Sequence, residues 1–154
     1  MLEHRVLLLR SCTASAMQSI VDGDSGVALG FARWVPTVPR AWWRVFGRGV
    51  LEVHEQEDEP LLFTVRRAWS LLPRREVRDA EEQTVGVLLG HLIHDRFGRL
   101  LAALENGVFR NPYQRDLAEL TATNEGMRLT FGDDIAGEPF VKMLLLAAAL
   151  QMTG

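Results

Sequence analysis

The densest apolar run of this chain, Pro139-Phe140-Val141-Lys142-Met143-Leu144-Leu145-Leu146-Ala147-Ala148-Ala149-Leu150, lies near its C-terminal end and limits what the rest can fold into. About 20 predominantly apolar residues are needed to cross a hydrocarbon core of ~30 Å, and a run of this length reaches only about 18 Å at ~1.5 Å per helical residue. With Lys142 inside it as well, the run predicts no transmembrane span. It does predict a helix. Proline suits the first helical position, Glu138 stands four residues before Lys142, and Met, Leu and Ala favour helix. Its apolar residues cover every face, and a helix apolar all round is buried on all sides. Something must therefore surround it.

The preceding sequence offers strands for that purpose. Short stretches of Val, Leu, Phe and Thr alternate with acidic or Gly-containing turns. Residues 20–29, 51–65, 76–88, 92–101 and 120–131 each read as two apolar-ended strands around a turn that is often led by Asp or Asn. Asn and Asp side chains bond their own backbone in turns, and Gly accepts positive φ, so each segment predicts a hairpin. Residues 36–49 and 106–116 interrupt the series and read as longer connections. A sheet closed into a barrel has no free edges, and one of enough strands has room inside for a helix. The fold expected is mainly β, a closed antiparallel β-barrel with the hydrophobic C-terminal α-helix buried through its centre.

Composition narrows the functional classes. The 154 residues are 47% hydrophobic with a net charge of −3, which suits one domain over 1–154 and argues against nucleic acid as a partner. The single cysteine, Cys12, excludes a disulfide framework and any multi-cysteine metal site. Only four apolar residues, Val6–Leu9, precede Arg10, too few for a secretory signal, so the expected location is cytoplasmic, with peripheral membrane association left open. Nucleophile elbows, Walker loops, GxGxxG turns and zinc-protease helices are absent, and Cys12 has no local partner to activate it, so no enzyme and no cofactor are expected.

The succession of hairpin turns, the stretch Phe63-Thr64-Val65-Arg66-Arg67-Ala68-Trp69-Ser70-Leu71-Leu72-Pro73-Arg74 leading into Glu76-Val77-Arg78-Asp79, and the terminal Val141–Leu150 run resemble the tubby C-terminal-like superfamily, in its scramblase-like and LURP-one-related branch. The resemblance covers roughly residues 15–151. It implies about twelve strands around the helix, and a family whose better-known members are linked to membrane phospholipids or phosphoinositides. Eukaryotic scramblase-like relatives carry a Pro-rich N-terminal extension and a cluster of cysteines that can be lipidated. This sequence has neither, so anchoring by acylation is not expected. Their acidic segment before the terminal helix, proposed to bind calcium, is matched here only in acidity by Gly132–Glu138. Asp133, Asp134 and Glu138 read better as complements to the positive end of the helix.

Two clusters suit an anionic membrane lipid. Arg66, Arg67, Arg74, Arg75 and Arg78 bracket Trp69 and Leu71-Leu72, and guanidinium groups beside an aromatic tip suit lipid headgroups. In one strand Arg66 and Arg67 must point to opposite faces. Trp42, Trp43 and Arg44 form a second, membrane-interface candidate, since indole prefers such interfaces. The alternative for both clusters is a protein partner on a structural or interaction scaffold without lipid activity. No metal site is expected: His91 and His94 fall on opposite faces of a strand, and Asp22-Gly23-Asp24-Ser25-Gly26 lacks the remaining ligands of a calcium loop and predicts a tight turn.

Overall fold

In the computed structural model, which describes residues 1–11, 17–37, 49–55, 60–68 and 73–153, twelve strands precede one helix. The strands are β1 (Val6–Ser11), β2 (Met17–Asp22), β3 (Ala28–Val35), β4 (Val50–His54), β5 (Leu61–Arg67) and β6 (Arg74–Asp79). They continue as β7 (Thr84–Leu89), β8 (Leu92–Asp95), β9 (Leu100–Glu105), β10 (Val108–Arg110), β11 (Asp116–Thr123) and β12 (Gly126–Phe131). A 3-10 turn, Asp133–Ile135, leads into α1 (Pro139–Thr153). Every strand pairs antiparallel with its sequence neighbours, and β1 pairs with β12, so the sheet closes into a barrel.

All five expected hairpins form, as β2–β3, β4–β5, β6–β7, β8–β9 and β11–β12. The segment 106–116 differs from its expectation as a connection, because it contains β10. Asn106 and Gly107, at φ 50° and 81°, make a two-residue turn of the kind that requires positive φ at both positions, and three residues then pair with both β9 and β11. A strand that short, between two turn sequences, leaves no periodicity to read.

Odd-numbered strands finish, and even-numbered strands start, at one end of the barrel, termed upper below. At the opposite, lower end three turns follow one design. Asp79, Asp95 and Asn111 are sixteen residues apart. In each, Oδ1 accepts the backbone N–H groups of the second and fourth residues onward, at 2.9–3.0 Å. The third residue onward has positive φ: Glu82 at 62°, Gly98 at 79° and Gln114 at 64°. Asp22 closes its turn likewise through the N–H and hydroxyl of Ser25. The Asp22–Gly26 segment is thus a turn, as expected.

One apolar cluster joins inward residues of the strands, such as Leu7, Ile20, Val53, Phe63, Phe109 and Leu129, to Leu144, Leu145, Leu146, Ala147, Ala149 and Leu150 of α1. Gly86 permits this approach, because a Cβ there would lie 2.8 Å from Leu144 Cδ2. The helix starts near the lower end and finishes near the upper, where Ser11 Oγ donates to Thr153 O at 3.1 Å. Lys142, 3% exposed, does not reach Glu138. Its Nζ donates to Leu2 O at 2.9 Å and lies 5.3 Å from the Phe131 ring centre, tying the N-terminal segment to the helix. Among the described residues no helix is long and apolar enough to cross a membrane.

The turn geometry is directly testable. Gln114 adopts the left-handed conformation at a cost of about 1–2 kcal/mol for an L residue, partly offset by the greater unfolded-state freedom of glycine. Gln114→Gly is expected to stabilise the chain by about 0.5–1 kcal/mol, raising the melting temperature by about 1–4 °C. Gly98→Ala is expected to lower it, and thermal melts of the two variants check the pair.

Candidate functional site

Alternation along β5 and β6 distributes the five arginines between two faces. Arg66, Arg74 and Arg78 share the outer wall with Thr64 and Glu76. Arg67 and Arg75 share the parity of Val65 and Val77 and stand opposite each other in register at the upper end. The expected divergence of Arg66 and Arg67 is therefore present. Trp69 lies outside the described residues, as do Trp42, Trp43 and Arg44.

On the outer wall, charge is largely compensated. Arg66 Nη2 meets Glu82 Oε1 at 2.6 Å. Arg78 reaches Glu76 Oε2 at 3.0 Å and Glu82 Oε2 at 3.5 Å. Thr84 Oγ1 donates to the other oxygen of Glu76, and Arg33 donates twice to Glu52 Oε2, at 3.0 and 2.9 Å. Register aligns Arg33, Glu52, Thr64, Arg78 and Thr84 across five consecutive strands. Exposed ion pairs contribute about 0–1 kcal/mol each, but a shared lattice fixes both partners in position. Arg66 and Arg78 are thereby committed to carboxylates of their own barrel.

The upper end is different. Arg67 and Arg75 concentrate positive charge there, next to Arg74 at the start of β6. Arg75 and His91 also line a pocket of about 260 Å³ with Leu88, Phe109, Gln151 and Met152. The strands flanking residues 36–49 end and begin at this same end, Val35 on β3 and Val50 on β4. Those fourteen residues include Arg40, Arg44 and Arg48, two tryptophans and no acidic residue.

The lower end is the more acidic, although the same turns also carry Arg96, Arg99 and Arg115. Its turns and strand ends present Asp22, Asp24, Glu55, Asp79, Glu81 and Asp95, and Asp133, Asp134 and Glu138 stand before α1. Asp133 pairs with Arg5 at 3.3 Å, and among the described residues no three His, Cys, Asp or Glu groups are placed to hold a metal ion. Glu138 accepts the Lys142 backbone N–H through its carbonyl at 3.1 Å, a backbone bond at the start of α1. His91 and His94 are apart, His91 in the upper pocket and His94 on the outer wall.

Glu76 gives the wall a pH signature. Its carboxyl is held below the ordinary value of 4.5 chiefly by the Thr84 hydroxyl, against the effect of partial burial, with the Arg78 guanidinium acting in the same direction as Thr84. A depressed folded-state pKa stabilises the native chain above the ordinary value, and that stabilisation disappears as pH falls through the folded-state pKa. Glu76→Gln is expected to be less stable than the wild type at pH 7, and the gap should narrow progressively below about pH 4.5 in denaturant titrations. A gap independent of pH would remove Glu76 from the lattice. No protein-family model, curated protein or solved structure matches this chain.

Proposed function

We propose that this chain is a scramblase-like, tubby C-like barrel built around its own C-terminal helix, and that it binds anionic phospholipid headgroups peripherally by its upper end without catalysing a reaction. The observation that carries the reading is the polarity of the barrel among the described residues: Arg67, Arg74 and Arg75 at one end and mainly acidic turns at the other. Such a charge dipole orients a protein of small net charge against a negative surface, basic end first. The helix within the barrel is supported by α1 having no polar face and sharing one apolar cluster with inward residues of the surrounding strands.

Of the set expected from sequence, Arg67 and Arg75, with Arg74 beside them, are the headgroup contacts in this reading because register brings them together at the upper end. The proposed setting is the cytoplasmic face of a membrane, reached reversibly. A protein-interaction scaffold is the second reading. It draws on the lower end, where Phe97 and Phe140 remain 68% and 57% exposed.

Flotation with phosphatidylserine-containing vesicles separates the two. Binding is expected at low ionic strength and should weaken as salt is added. The double variant Arg67→Gln/Arg75→Gln should lose about 2 kcal/mol of partitioning free energy, at about 1 kcal/mol per cation near an anionic surface. Absence of binding at low salt, or binding indifferent to the double variant, would refute the lipid reading and favour the scaffold.

A further inference from the structure

The outer wall over β6–β8 holds an open groove of about 310 Å³, separate from the upper-end pocket. Arg74, His94 and Arg96 line it around a floor of Val87 and Leu89. Most described arginines are held by a carboxylate, but among the described residues neither Arg74 nor Arg96 has one in ion-pair range.

The acids nearby are already engaged. Glu76, whose field reaches Arg74, is bonded by Thr84 and Arg78. Asp95, also in the groove, gives Oδ1 to the N–H groups of Phe97 and Arg99 and Oδ2 to the Arg99 guanidinium. Arg96 lies over the Phe97 ring at 4.8 Å, a contact that uses the face of the guanidinium and leaves its N–H edge available. Register places His94 beside Val87 on the outward parity of the wall.

We infer that this groove binds a phosphate monoester carried on an apolar body. Two guanidinium forks and an imidazole offer more donors than a carboxylate can accept. A phosphate monoester presents three strong acceptor oxygens with about −1.5 to −2 charge. Val87 and Leu89 then lie under the apolar part. The groove is at the lower limit of small-ligand sites, roughly 300–1,000 Å³, so it takes the phosphate and the group next to it. It shares only Arg74 with the upper-end surface and stands or falls apart from it.

The monoester comes either from a free metabolite or from a lipid headgroup, and two probes distinguish these sources. Phenyl phosphate added to the isotopically labelled chain should give saturable amide shifts at His94 and Gly98, with the dissociation constant rising about tenfold or more in Arg96→Gln and by less in His94→Gln. Vesicles containing phosphatidic acid, whose headgroup is a monoester, should bind more tightly than phosphatidylglycerol vesicles if the source is lipid, with Arg96→Gln abolishing the difference. Either result sustains the inference and names the source. It is overturned if phenyl phosphate gives no saturable shift and the phosphatidic acid preference is absent, or if Arg96→Gln leaves both affinities unchanged. Phenyl phosphate binding is read at His94 and Gly98, away from Arg67 and Arg75, and the vesicle arm is read only as the difference between two anionic lipids, so failure here is distinguishable from failure of the upper-end surface, which would abolish binding to both vesicles.

Discussion

The absence of a polar face on α1 is the constraint from which the rest of the structure follows. Eight of its fifteen residues are buried, among them Leu144, Leu145, Leu146, Ala147, Ala149 and Leu150. A helix of this kind needs apolar neighbours, and α1 shares one apolar cluster with buried residues of the closed sheet. The requirement also reaches individual strand residues. Gly86 has no side chain where Leu144 comes close, and the small Ala147 and Ala149 let the walls approach the helix. Closure in turn leaves no sheet edge, so every strand, including β10 with three residues, is paired on both sides.

With the interior apolar, the charged residues are confined to the wall and the two ends, where their arrangement has consequences. The acidic lower end surrounds the start of α1 and the basic upper end its finish, each matching the partial charge of the helix terminus beside it. The wall between the ends is a lattice in which Glu76 and Glu82 each serve two partners. Arg74 and Arg96 lie outside that lattice, in the groove beside β7.

Much of this was legible in the chain before any coordinates. The apolar run at 139–150 implied a buried helix, the hairpins implied an antiparallel sheet, and simple alternation separated Arg66 from Arg67. The sixteen-residue spacing of Asp79, Asp95 and Asn111 was present but hidden, because Gly marks the positive-φ position only in the middle turn, while Glu82 and Gln114 occupy it in the others. Which arginines are committed to carboxylates was not legible. The partners are set by strand register, and a shift between Val77 and Arg78 brings Thr84, rather than a residue predicted by regular pairing, opposite Arg78. Nor did the sequence mark Arg96, which neighbours Arg74 only through the folding of β6, β7 and β8 into one wall.

The helix at the centre of the barrel is the claim on which the account rests, and native-state amide hydrogen exchange tests it most directly. Amides of Leu144–Leu150 should exchange only through global unfolding, with the same free energy as the best-protected strand amides, because a helix enclosed by a closed sheet cannot open alone. Exchange of those helix amides through a separate, lower-energy opening, while β7 and β12 remain fully protected, would contradict it.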